Sequence, residues 1–224
     1  MAISEDNPIE SGSNRSVQDR LLDAAEALFC EHGFEGTSVR DIAAAAGCNI
    51  AAVNYYFGGK NNLYTEVWRR HLLLKRDARI ASIERVMSQK DGKPRLEDLL
   101  RSYANAFIEP LEDVSRDRRF IKLMAREMVD QHLSQNILVK ELIVPVMAVL
   151  QRALIKICSD LDEAKARLII LSIVGQLMHT VASKTMFEQS DNPELPRFDL
   201  TEAVNHIVRF SAAGIRAYAE EKTE

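Results

Sequence analysis

Asn54 carries a planar amide, a group that can bond N6 and N7 of adenine together when it projects from a helix in the major groove. Ile50 and Ala51 lie four and three residues earlier and share its side of a helix, with Ala52 beside them; small apolar groups there suit thymine methyls. Arg40 is the only Arg or Lys between Arg20 and Lys60, and its guanidinium can fork onto guanine O6 and N7 or onto a phosphate. Thr37, Ser38, Tyr55, Tyr56 and Lys60 can donate to phosphates, as can free N–H groups at helix starts such as the one Asn49 opens. Two of them have a plainer reading beside the functional one. Asn54 also suits an ordinary solvent-facing position, and Arg40 an ion pair with Asp41 or with a carboxylate of the preceding helix.

These residues need a scaffold, and the hydrophobic spacing supplies one. Val17, Leu21, Ala24 or Ala25, and Leu28 recur at helical intervals, with Asp19, Asp23, Glu26 and Glu31 mostly on the other face. Ser16 with Asp19 resembles a capping box, and Gly33 is a natural stop. After the turn FEGTS, Ser38 caps a short helix from Val39 to about Ala46 whose inner face is Val39, Ile42, Ala43 and Ala46. Gly47 ends it at a reversal that calls for positive φ. Asn49 then caps a third helix, Ile50 to about Tyr56, with Val53 and Phe57 inward and Gly58-Gly59 as breakers. Two short helices on a three- or four-residue turn containing Gly outline a helix-turn-helix.

A long helix follows from Lys60 to about Met87, and then patterns at Leu96 to Ile108, Arg118 to Gln131, Asn136 to Ser159, Glu163 to Phe187 and Thr201 to Glu220. DGKP, EPLED and DNPELP read as loops, and Pro145 as a kink. With 224 residues, 46% hydrophobic, 28% charged and only 9 Gly and 6 Pro, the chain is expected to be all-α. It divides into a polar arm at 1–14 expected to be disordered, an N-terminal helical module at 15–75, and a helical bundle at 76–224.

The net charge of −4 argues against a broadly basic nucleic-acid surface, so any DNA contact must be local. Up to Lys60 the chain sets Arg15, Arg20, Arg40 and Lys60 against nine carboxylates, and the contact face must be segregated from the acidic first helix. Cys30, Cys48 and Cys158 are odd in number and lack CxxC spacing, which speaks against a disulfide framework or zinc site and fits a reducing cytoplasm. Cys48, in the turn, is read as a small buried hydrophobe, with a redox role as the alternative. The start of the chain is acidic, unlike a signal peptide. The stretch from Arg167 to Ser183 is interrupted by Ser172, Gln176, His179 and Thr180 and reads as a helix buried on nearly all sides, not a membrane span. HExxH, GxSxG, P-loop and GxGxxG motifs are absent, so neither enzyme chemistry nor a bound metal or cofactor is expected.

The run from Arg15 to Lys75, above all GTSVRDIAAAAGCNIAAVNYYFGGKNNLY, resembles the DNA-binding domain of TetR-type transcriptional regulators. The matching features are LLDAAEALFCEHGFEGTS, the D-I-A-x-A-A-G turn, the Tyr-x-Phe-x-x-Lys pattern at Tyr55, Phe57 and Lys60, and Leu63. NIAAVNYYFGGK is similar, more narrowly, to the CecR-like subgroup, with Asn at position 54 and Gly-Gly before the Lys. The resemblance implies a helix-turn-helix from Ser38 to Phe57, Arg40 as a base or phosphate reader, Tyr55 and Tyr56 near phosphates, and Lys60 anchoring the DNA backbone. It implies a homodimer on palindromic DNA, paired through the last two long helices, and a repressor released by a small molecule held in the C-terminal bundle. Candidate ligand contacts there are Phe107, Met124, Met128, His132, Met147, Gln176, His179 and Met186, apolar or adaptable groups mixed with a few polar ones, each with plain core packing as its alternative. Two rivals remain: a helical small-molecule-binding or protein-contact module without DNA binding, and an all-α enzyme.

Overall fold

A computed structural model of the protein describes residues 16–89, 92–112, 119–120, 122–124, 126–127, 130–197 and 199–220. The expected arm at 1–14 lies outside them. Every regular element among the described residues is helical, and the chain forms two compact units, Met1–Val67 and Trp68–Glu224.

The first unit is built from α1 (Val17–His32), α2 (Val39–Ala45), α3 (Ile50–Phe57) and the beginning of α4 (Lys60–Met87). Local signals set each start. Ser16 caps α1 by accepting from the Asp19 N–H at 3.1 Å, and its hydroxyl donates to the Asp19 carboxylate. Ser38 and Asp41 form a full capping box on α2, and Asn49 caps α3 by accepting from the Ala51 N–H at 2.9 Å. Gly47 has φ +61, the left-handed region that a side chain adopts only with strain. Gly36 is needed for a different reason: a Cβ there would stand 2.4 Å from the His32 carbonyl oxygen. Leu21, Phe29, Ile42, Val53 and Leu63 are fully buried between these helices. Each such side chain contributes about 1.5–3 kcal/mol through removal from water. The buried arc of α1 is wider than its sequence pattern indicated, because Glu26, expected on the outer face, is buried alongside Ala25 and Phe29.

The second unit holds the rest of α4, α5 (Leu96–Glu112), α6 (Gln135–Leu138), a π-helical segment (Val139–Ile143), α7 (Val144–Ile157), α8 (Glu163–Glu188) and α9 (Leu200–Glu220). Described residues between 119 and 130 are also helical. The EPLED loop expected at Glu109 is not a break, since α5 runs on to Glu112; a proline near a helix end removes a single N–H from the ladder. Pro145, expected to kink its helix, stands in the first turn of α7 directly after the π segment. A wider turn there accommodates the hydrogen bond that proline cannot donate. The core is one apolar cluster from α4, α5, α7, α8 and α9, centred on Leu72, Leu99, Leu150, Leu154 and Leu177. Arg216 pairs with Glu97 and Arg101 bonds Asn205, tying α9 to α5.

One expectation for α8 is overturned. Its apolar residues are not buried on nearly all sides: Leu168, Leu171 and Met178 are 56–60% exposed, and Phe210 of α9 is 65% exposed. Within a single chain α5, α7 and α9 cover only part of α8, which leaves another stripe facing outward. By length and composition alone this helix suffices to cross a membrane, although Ser172, Gln176 and His179 punctuate it.

Candidate nucleic-acid interface

Val53 and Phe57 pin α3 to the core of the first unit, at 0% and 7% exposure, and thereby fix which side of the helix looks out. Ile50, Ala51, Asn54, Tyr55 and Tyr56 are exposed, and Ala52 is partly so. That outer face is small, weakly polar and uncharged at its N-terminal end. Tyr55 is 82% exposed and packs its ring edge-on against Tyr56 with centroids 5.0 Å apart, so two phenol hydroxyls flank the face. Asn49 is exposed at the start of α3, with its side-chain oxygen occupied by the cap bond.

The α2 side contributes Arg40 and Ser38, both exposed. Asp41 does not form the ion pair weighed for Arg40; its carboxylate accepts the Ser38 hydroxyl at 2.6 Å and the Ser38 N–H at 3.2 Å. Those hydrogen bonds, with smaller help from Arg40 and His32, hold the Asp41 carboxyl below its ordinary pKa. The cap thus locks α2 in place and leaves the Arg40 guanidinium at the surface.

Two residues chosen for phosphate contact have other tasks. Thr37 is 2% exposed; its hydroxyl faces the Gly33 carbonyl at 2.7 Å and the Leu28 carbonyl at 3.2 Å, and its N–H donates to Phe34. The expectation of Thr37 as a phosphate donor is therefore corrected, because both of its donors are satisfied inside the α1–α2 turn. Lys60 donates through Nζ to the carbonyls of Phe34 at 2.8 Å and Thr37 at 3.0 Å, and its ammonium sits 4.1 Å from the Phe34 ring centroid. It fastens the turn that ends at Ser38. Phe34 packs in turn on Phe29 and Tyr64. Cys48 is half-buried, with Sγ 3.6 Å from the Arg20 guanidinium and 3.3 Å from the Ala46 carbonyl.

The candidate ligand contacts of the second unit do not converge among the described residues. Phe107 and Met147 belong to the core cluster or pack against it. Met124, His132 and Met186 are exposed, and so is His179, whose ring nitrogen is 3.3 Å from the Ser183 hydroxyl. Gln176 bonds Ser211 at 3.3 Å and lines an open groove of about 340 Å³ between α8 and α9, with Leu168, Phe210 and Tyr218. Met128 lies outside the described residues.

Two residues that hold this architecture escaped the sequence reading in these roles. Asp41 carried a signal, since Ser38-Val39-Arg40-Asp41 has capping-box spacing; the Lys60 clamp had none, because its partners are backbone atoms 23 and 26 residues away.

Comparison with known proteins places this geometry. Residues 21–67 match the family described as bacterial regulatory proteins of the tetR family, and residues 105–214 match the tetracyclin repressor-like C-terminal domain. Among curated relatives, a protein named as an HTH-type transcriptional regulator, YttP of Bacillus subtilis, is 48% identical over 48 residues, 21% of this chain and 23% of the relative. The HTH-type transcriptional dual regulator CecR of Shigella flexneri is 47% identical over 58 residues, 26% of each chain. The matched segment thus spans about a quarter of either relative's length. Of the solved structures, one of a transcriptional regulator from Pseudomonas aeruginosa superposes with a TM-score of 0.67 at 19% identity, over 95% of this chain and 98% of that one. Another, assigned to the TetR family and from Mesorhizobium loti, gives 0.66 at 19% identity, over 90% and 96%. With one profile on the helix-turn-helix, a second on the bundle, and the same fold end to end, the chain belongs to the TetR family of bacterial regulatory proteins.

Proposed function

We propose that the protein is a cytoplasmic DNA-binding transcriptional regulator, most simply a repressor, that binds a palindromic operator as a homodimer and is released by a small molecule. The observation that carries this reading is the outer face of α3: Val53 and Phe57 turn inward, and Ile50, Ala51 and Asn54 are presented together, with Arg40 exposed on α2. A helix seated in a major groove needs this arrangement, short side chains at its N-terminal end and an amide or guanidinium able to bond base edges. Ser38, Asn49, Tyr55 and Tyr56 are the proposed backbone contacts, and Ala52 lines the edge of the face. Residues 15–75 form the reader and 76–224 the regulatory part.

The exposed stripe of Leu168, Leu171, Met178 and Phe210 supports dimerisation through α8 and α9, since a soluble chain rarely leaves so much apolar surface uncovered. Two-fold symmetry would then set two α3 helices about 34 Å apart, on successive major grooves. Because α4 begins at Lys60 and ends at Met87, a ligand that shifts it changes that spacing, and ligand and DNA must weaken each other by the same factor. The word "dual" in the name of CecR keeps activation open at some promoters.

The test is equilibrium binding of the purified protein to duplex DNA across a salt series. Affinity should fall linearly on log–log axes, with a slope of about 0.9 per phosphate contacted. A protein-contact module or an enzyme would show no such dependence, and a flat response would overturn the reading.

A further inference from the structure

We propose that Arg79 holds the anionic head, a carboxylate or a phosphate, of an otherwise apolar small molecule in the second unit. The inference rests on the reading of that unit as the regulatory part and names the chemistry of what it takes.

Arg79 lies partly buried on the core-facing side of α4. Leu72, Arg79, Ile83 and Val86 follow one another at intervals of seven, four and three residues, and the three apolar members are 0–4% exposed in the main cluster. Arg79 follows them inward: its guanidinium lies 4.1 Å from the ring centroid of Phe107, with the buried Tyr103 beside it. Its Nε is buried without a hydrogen-bond partner, while the side chain as a whole is only partly buried. Three other arginines of the unit find acceptors: Arg69 pairs with Glu141 at 3.1 Å, Arg216 pairs with Glu97, and Arg101 bonds Asn205.

A guanidinium nitrogen withdrawn from water with no partner is costly, and a partly buried arginine is seldom left so without a use. The surroundings are of low polarity by a second sign. Burial pulls the Arg79 pKa below its ordinary value and pushes the Tyr103 phenol above its own. Stacking on Phe107 covers one face of the guanidinium plane and leaves its edge, where the N–H donors form a fork that matches two oxygens of a carboxylate or phosphate. Partial desolvation strengthens the attraction of Arg79 for an anion, while a neutral ligand would leave the charge unanswered. Phe107 and the partly buried Ile80 supply apolar surface for the rest of the molecule.

The experiment measures thermal unfolding and calorimetric binding of the full-length protein, without DNA, with decanoate, decyl phosphate and decanol. Decanoate or decyl phosphate should raise the midpoint, the better of the two identifying the head group, and decanol should not. Arg79→Met should weaken anion binding at least tenfold while its own midpoint stays at or above that of the wild type, since it removes a buried Nε that has no partner. Arg79→Lys should retain part of the affinity. Absence of a shift with both anions, an equal shift with decanol, undiminished binding to Arg79→Met, or a midpoint of that variant below the wild type would each overturn the proposal. Adding DNA afterwards separates the two readings: an anion that binds through Arg79 but leaves DNA affinity unchanged sinks regulation by this ligand and not the site. Salt-dependent DNA binding with no anion effect sinks the site alone.

Discussion

Lys60 commits two of its three ammonium donors to the carbonyls of Phe34 and Thr37 and stacks its charge on the Phe34 ring. In the proposed DNA binding its part is therefore positional: it holds the turn from which Ser38 caps α2 and Arg40 projects. Lys60→Met is expected to weaken binding to every DNA sequence alike while leaving the salt slope nearly unchanged. A slope shallower by about 0.9 would instead mark a direct phosphate contact. Arg40→Ala should relax base preference, because its guanidinium is exposed with the Asp41 carboxylate turned to Ser38. The exposed positions of α3 were legible in the sequence, since helical spacing from Val53 and Phe57 determines which residues face out. The inward turn of Thr37 was not, because a threonine before a helix looks the same whether its hydroxyl meets solvent or a carbonyl of the preceding helix.

Helix starts in the first unit are fixed by short side chains, and their energies are accessible. Ser38→Ala removes the capping box of α2 and should cost about 1 kcal/mol of stability, measurable by denaturant unfolding. Asp41 adds a pH signature. Its folded-state pKa is depressed by its hydrogen bonds to Ser38, so its stabilisation is complete above its unfolded-state pKa and is lost as pH falls through the folded one. Unfolding midpoints from about pH 5 down to about pH 2 should drop more steeply for the wild type than for Asp41→Asn. Equal slopes would contradict the assigned role. Caps, glycine stops and the bounds of α3 and α4 were readable because each depends on neighbouring residues. The extension of α5 to Glu112 and the π segment before Pro145 were not, since prolines signal a break without saying how packing absorbs it.

At the scale of the molecule, the sequence of α8 is apolar nearly all round, yet one chain covers only part of it. Leu168, Leu171 and Met178 look outward beside Phe210, which is how half of a self-complementary interface presents itself in a single copy. Leu171→Glu should convert a dimer to a monomer in sedimentation equilibrium and weaken DNA binding, leaving the fold of the first unit intact. An unchanged oligomeric state would move the interface elsewhere. The need for a second burial partner was legible in the sequence; whether another helix of the same chain met it was not, because that depends on packing between segments far apart. The net charge of −4 is likewise no obstacle to the proposed DNA binding, since the proposed α3 face relies on Asn54, neutral hydroxyls and one exposed guanidinium. The most direct test of the account is selection of bound duplexes from a random pool by the purified protein, with sequencing of what is retained. The expected result is enrichment of a two-fold symmetric sequence whose half-sites lie about one helical turn apart, and its loss on replacing Arg40 and Asn54 together. Retention of no preferred sequence, or of one without two-fold symmetry, would contradict it.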